Sequence, residues 1–376
     1  MLTVILRIIR GAGMLLTLLL LASCGNPAGD HPWNNPYPAK DSLKNILYSS
    51  FDERPKHLDP IRSYSSNEYS IIANIYEPPL QYHYLKRPYK LVPLTASRVP
   101  VPFYLDEAGN QLPADTPIEQ IAWSIYDIEI QPGIRYQPHP ALAKGPAGEY
   151  RYHTLKKEDL DDIYTLSDFT ENGTRELTAE DYVYQIKRLA HPQTNSPIFG
   201  VMSEYIDGLD EYAKQLKQVY QDRAAQEPNP VWLDLRQYDL PGVEVTGTYT
   251  YRIRIKGKYP QFKYWLAMPF FAPMPWEADR FHTQPGMVDK NLTLDWYPIG
   301  TGPYLLAENN PNLRMVLQRN PNFHGELYPE EGMPGDAEAG MLDDAGKPIP
   351  FIDTVLNSLE LESIPRWNKF LQGYYD

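Results

Sequence analysis

The sequence predicts a mixed α/β (α+β) protein, and three observations predict it. Apolar and polar residues alternate in short runs such as "WSIYDIEI" (Trp123 to Ile130) and "TGTYTYRIRIKG" (Thr246 to Gly257), which is the two-residue period of strands. The stretch "ELTAEDYVYQIKRLAHP" has helical spacing with start and stop signals. Pro (37) and Tyr (29) are frequent among the 376 residues, which argues against a helix bundle and for short strands, turns and loops. An apolar share of 42% is enough to pack a core.

The N-terminus, "MLTVILRIIRGAGMLLTLLLLASCG", places Arg7 and Arg10 before a short apolar run, Met14 to Ala22. That run is too short for a comfortable membrane span and sits where a signal peptide's apolar region belongs. Its end, Leu21-Ala22-Ser23-Cys24, resembles the bacterial lipoprotein signal, a Leu-small-small-Cys box whose cysteine is lipidated and becomes the mature N-terminus. The resemblance implies a signal peptide over 1–23, lipidation at Cys24 and a Pro/Gly/Asn-rich tether over 24–45. Each acyl CH₂ buried stabilises anchoring by about 0.8 kcal/mol. The expected location is periplasmic or otherwise extracytoplasmic, anchored by lipid to the bacterial cell membrane or outer membrane. Cys24 is the single cysteine, so no intramolecular disulfide or multi-Cys metal site is possible.

"NILYSSF" (Asn45 to Phe51) has strand composition. Ser65 and Glu68 fit a capping box, and Ile71, Ile72, Ile75 and Tyr76 follow at helical spacing until Pro78-Pro79. Trp123 to Ile130 reads as a strand, with "QPGIRY" as a turn into a second short one. The charged run "KKEDLDDIYTLSDFTENGT" reads as a solvated insertion. Thr178 is the expected N-cap of the next helix. Glu180 and Asp181 stand in its first turn, where the helix dipole favours negative charge, and Val183, Ile186 and Ala190 form its apolar face. Thr246 to Gly257 reads as a strand or hairpin, and "LRMVLQRN" (Leu313 to Asn320) as another strand. There is no internal repeat.

Several chemistries are tested and set aside. The net charge of −13 speaks against a nucleic-acid partner, which needs a basic face. In "YPIGTGPYLL", Gly300 and Gly302 suggest a phosphate loop. Position 305 is Leu where a third glycine belongs, and Pro303 removes an N–H. The two glycines read instead as a turn that uses backbone conformations closed to other residues. No Gly-Lys-Ser/Thr and no HExxH occur, and the eight histidines are scattered, each read as a surface or loop residue. No Gly-x-Ser-x-Gly elbow is present. The pair Asp161-Asp162 reads as solvated charge rather than a glycosidase dyad. No catalytic residue, metal site or cofactor is nominated.

Five blocks in order resemble the family-5 extracellular solute-binding proteins of ABC importers, the oligopeptide- and dipeptide-binding lipoprotein type. They are "LDPIRSYSSNEYSIIANIYEPPL", "LVPLTAS", "LTAEDYVYQIKRLAHPQTNSP", "YRIRIKGKYPQFKYWLAMPFFAPMP" and "PIGTGPYLLAENNPNLRMVLQRNPNFHGE". A sixth, "IDTVLNSLELESIPRWNKFLQGYYD", fits the strand and helix that follow. Insertions stand near 139–176, 208–242 and 326–349. The resemblance implies a periplasmic-binding-protein-like class II architecture, represented mostly by lobe one. Residues 46–80 form its first part, 81–176 a subdomain with insertion, and 177–376 its second part, ending where lobe two would begin.

The resemblance also implies a role: capture of short peptides outside the inner membrane and delivery to permease subunits, with a hinge closing over the ligand. Extended peptide backbone pairs with protein backbone whatever its side chains are. In the family the segment after Leu-Asp-Pro runs along the cleft, which marks Tyr64, Ser65 and Ser66. The residue after "NSP" also lines it, which marks Ile198. Ser65 has a second reading as a simple helix cap. The acidic partner of the peptide ammonium lies in lobe two of relatives, so this chain alone is expected to bind peptides weakly. A monomer is expected. Two alternatives stay open: a surface lipoprotein that binds glycans through its tyrosines, and a lipoprotein hydrolase.

Overall fold

The computed structural model describes residues 35–227 and 230–376. The expected signal segment and the expected lipidation site at Cys24 lie outside the described residues, as does the first half of the expected tether. Two compact units are present: Lys44–Leu361, and the residues before Lys44 taken with Glu362–Asp376. In the latter, Tyr37 donates to the Tyr374 carbonyl at 2.9 Å.

The large unit is built on two sheets. The first joins β1 (Ile46–Phe51), β13 (Thr354–Leu359), β10 (Arg314–Arg319) and β9 (Tyr304–Asn310) in that order. β1 and β13 run parallel, with Ile46 opposite Thr354 and Phe51 opposite Leu359, so the two ends of the unit are tied by one ladder. The second sheet is antiparallel, in the order β5 (Gln111–Leu112), β4 (Phe103–Leu105), β6 (Trp123–Glu129), β8 (Thr250–Lys256), β7 (Val243–Gly247). In β8 the alternation sends Tyr251, Ile253 and Ile255 into the core. Two small hairpins flank the sheets: β2 (Leu80–Tyr82) with β3 (Leu91–Pro93), and β11 (Glu326–Leu327) with β12 (Pro348–Ile349).

The helices are α1 (Ser66–Ile72), α2 (Ala179–Arg188), α3 (Phe199–Tyr205), α4 (Leu209–Ala224), α5 (Phe262–Trp265), α6 (Trp276–His282) and α7 (Pro285–Asp289), with α8 (Ser363–Leu371) in the small unit. α2 starts as its sequence predicts: Thr178 is the N-cap, and its N–H donates to Asp181 at 3.0 Å. It differs in burial. Tyr182, Tyr184, Gln185, Lys187 and Arg188 are buried along with Val183 and Ile186, so α2 is a central helix and not one with a single apolar face. Lys187 Nζ is satisfied by the carbonyls of Leu235 (3.2 Å) and Tyr238 (2.7 Å).

Several local expectations are corrected. α1 ends at Ile72 and does not run on to the prolines. The Asn74 and Ile75 carbonyls instead accept from Tyr304 (3.0 Å) and Gly302 (2.9 Å), which stitches this turn to the start of β9. Gly300 and Gly302 are required for closeness and not for an unusual φ. A Cβ would stand 1.9 Å from the Ile75 oxygen at position 300 and 2.8 Å at position 302. The "QPGIRY" turn is present, with Gly133 at φ 88°, but the strand after it is reduced to a single bridge from Arg135 to Glu176. The charged run after Lys156 is anchored, because Leu160 and Phe169 enter the core. Three histidines are buried and structural. His139 accepts from the Ala141 N–H, His153 bonds the Ala141 carbonyl, and His282 bonds the Leu292 carbonyl.

Candidate functional site

The segment Arg62–Ser66 joins Leu58-Asp59-Pro60 to α1 and is held from two sides. On the inner side Asp59 is buried and receives both Nη atoms of Arg188, at 3.0 and 2.6 Å. Arg188 Nε stands 3.3 Å from Asp279, and Nη1 also donates to Gln185 at 3.0 Å. Arg62 pairs with Asp295, and His57 Nδ1 lies 3.2 Å from the same carboxylate. Burial, then the charge of Asp59, push the Asp295 carboxyl up, and Arg62 and His57 oppose them. A bidentate guanidinium–carboxylate pair sets direction as well as distance, so the start of the segment is fixed in space.

On the other side Glu68 turns back from α1. Its carboxylate accepts the N–H of Lys56 (2.9 Å), His57 (2.8 Å) and Tyr64 (3.3 Å) and the Ser63 hydroxyl (3.0 Å). The Ser65 N–H approaches it at 3.5 Å, and Ser65 is the N-cap of α1 with extended backbone. Burial would raise the pKa of Glu68, but the N–H of His57 and the other donors outweigh it and hold the carboxyl below its ordinary value. The sequence marks Glu68 as a capping-box partner only. Its larger role in organising residues 56–65 depends on chain distant from the helix and has no local signature.

Tyr64 is 73% exposed, with its ring centroid 6.1 Å from that of Phe270. Ser65 and Ser66 are exposed beside it. Tyr69 follows on α1 and is also exposed. Tyr82 stacks on Tyr264 (6.5 Å, 12°) and meets Tyr89 edge-on at 5.7 Å. Burial first, then Tyr264 and Tyr69, raise the Tyr82 phenol above its ordinary value, which groups these three hydroxyls. Three of the four sequence-marked residues therefore lie together at an open, tyrosine-bearing surface. Ile198 does not join them through its side chain, which is 3% exposed and packs in the core as the residue preceding α3. The tyrosines at 69, 82, 89 and 264 were missed, since composition shows their abundance but not their convergence.

Behind the segment, a polar crevice of about 460 Å³ is lined by Asp59, Arg62, Arg188, His282 and Asp295 among others. Asp161 and Asp162 are exposed. Among the described residues no group of three or more His, Cys, Asp and Glu could hold a metal ion, and no helix is long and apolar enough to cross a membrane.

Residues 171–351 match the model of the bacterial extracellular solute-binding proteins, family 5 Middle. The matched stretch is just under half of the chain. The family read from the sequence blocks is the family matched. The fold is that of part of the chain of solved periplasmic binding proteins. The Escherichia coli murein tripeptide binding protein MppA superposes with a TM-score of 0.51 at 16% identity, over 89% of this chain and 45% of that one. The substrate-binding domain of an oligopeptide ABC transporter from Bacillus anthracis str. Ames gives 0.52 at 14%, over 89% and 45%. Listeria monocytogenes OppA bound to peptide gives 0.52 at 11%, over 89% and 46%. The chain thus spans just under half the length of these structures. No curated protein matches it.

Proposed function

We propose that this chain is the substrate-binding component of an ABC importer, capturing short peptides in an extracytoplasmic compartment and presenting them to permease subunits. It acts as a binding protein and not as an enzyme. The match of residues 171–351 to solute-binding family 5 carries the reading. The murein-tripeptide and oligopeptide binding proteins that share the fold support it, as does the open surface at Tyr64, Ser65 and Ser66. An immobilised segment loses little freedom when a peptide backbone lies along it, and neighbouring rings accept varied side chains. Lipid attachment at Cys24 belongs to the same reading, and a Cys24→Ala chain expressed in bacteria is released from the membrane fraction if it is correct.

The direct test is calorimetry of the full chain with a mixed tri- to pentapeptide pool, followed by photo-crosslinking with a benzoylphenylalanine tripeptide. Binding near the millimolar range, about −4 kcal/mol, is expected for a ligand held on one side. The crosslinks should fall within Arg62–Tyr69. Crosslinks confined to other segments would overturn the assignment, and micromolar affinity would overturn the one-sided picture. The glycan alternative keeps one supporting observation, the stacked tyrosines at 82 and 264, and predicts saturable binding to soluble polysaccharide in place of peptide.

A further inference from the structure

A second cavity, of about 320 Å³, opens between the C-terminal end of α1 and hairpin β2–β3. Its walls include the tyrosines at 69, 82 and 84 and two carboxylates, Glu77 and Glu326. Among the described residues no Lys or Arg lines it. Glu77 is buried, and among the described residues its cationic partner is His324, whose Nε2 stands 3.0 Å away. Glu326 accepts from the Gln81 amide and, at 3.3 Å, from the Tyr84 hydroxyl, both neutral donors. Burial raises the Glu326 carboxyl above its ordinary value, and the charge of Glu77 adds to this. The lining therefore carries two carboxylates within aromatic walls, and the imidazole of His324 meets Glu77 from outside it.

We propose that this cavity binds a small organic ammonium ion, with its charge against Glu326 and Glu77 and its alkyl groups against the tyrosine rings. The volume suits a ligand of a few heavy atoms. Tyrosine faces attract cations through the ring quadrupole, and a half-buried carboxylate held only by neutral donors, as Glu326 is, gains from acquiring one. An anion or a neutral sugar would leave the carboxylates uncompensated. The cavity shares Tyr69 and Tyr82 with the tyrosine-bearing surface, but its charged groups, Glu77 and Glu326, play no part in the peptide reading. It requires neither the Arg62–Ser66 segment nor an importer, so failure of peptide capture leaves it untouched.

The test is a titration of the full chain with cadaverine chloride at constant ionic strength, followed by backbone amide shifts. Saturable shifts at Gln81, Tyr82 and Glu326 are expected. The neutral isostere 1,5-pentanediol should bind at least ten-fold more weakly. Glu326→Gln should weaken cadaverine at least ten-fold, and Tyr82→Ala several-fold. Equal binding of the diol, shifts confined to other surfaces, or a folded Glu326→Gln chain with unchanged affinity would overturn the proposal. If that variant does not fold, the diol comparison on the unaltered chain decides the matter.

Discussion

Arg188 shows how one residue can carry a local architecture. It is buried, it holds Asp59 through two nitrogens and it approaches Asp279. Arg188→Ala leaves Asp59 buried without its cation and should cost about 3–5 kcal/mol, read as a lowered urea midpoint. The sequence places Arg188 near a helix end, where a solvated cation is usual, and nothing local reveals its burial. Glycines divide by surroundings in the same way. Gly300→Ala forces a Cβ onto the Ile75 oxygen and should destabilise by about 1–3 kcal/mol or more. Gly200→Ala, exposed on α3 with open space at the Cβ, should stabilise by about 0.5–1 kcal/mol. The sequence marks Gly300 as a turn glycine and is silent on Gly200, and the neighbour across the fold is what separates them.

Among the elements, α1 repays attention because its N-terminus presents the proposed ligand contacts. Ser65 has φ −94° and ψ 153°, a conformation that a following proline tolerates, and Ser66 is the first helical residue, where proline is also tolerated. Ser66→Pro should leave the thermal midpoint nearly unchanged while removing one N–H from the surface. Peptide crosslinking should then fall several-fold, and retained crosslinking would remove the Ser66 N–H from the contact set. Glu68 supplies a pH signature. Its folded pKa lies below the ordinary 4.5, so its contribution is complete above about pH 4.5 and is lost as pH falls through the folded value. The difference in urea midpoint between the unaltered chain and Glu68→Gln should therefore shrink in acid. Strands such as β6 and β8 are legible because half-buried strands must alternate. The end of α1 was not, because the Asn74 and Ile75 carbonyls are taken by residues more than 200 positions away.

At the scale of the whole molecule, the insertion at 326–349 is tied to hairpin β2–β3 rather than free. Tyr84 stacks on Tyr328 at 6.4 Å, Lys86 donates to the Gly332 carbonyl at 2.7 Å, and just before the insertion His324 pairs with Glu77. Burial lowers the affinity of His324 for a proton, but the Glu77 hydrogen bond and charge, with Glu326 beyond, raise its pKa above 6.5. Its stabilising contribution is complete below about pH 6.5 and is lost as pH rises through the folded value. The advantage of the unaltered chain over His324→Gln in urea should accordingly be largest in mild acid and fade in alkali. By itself the sequence determined the fold class, the main strands, the N-cap of α2 and the resemblance to the family matched over 171–351, since periodicity, capping chemistry and ordered blocks are local properties of the chain. The tertiary structure alone decided that Arg188 is a buried clamp, that Gly300 and Gly302 serve close packing against Ile75, that Ile198 faces the core, and that tyrosines from three segments meet at one surface. Each of these depends on which distant residue stands opposite, and that is settled only when the core closes and every buried polar group must find its partner.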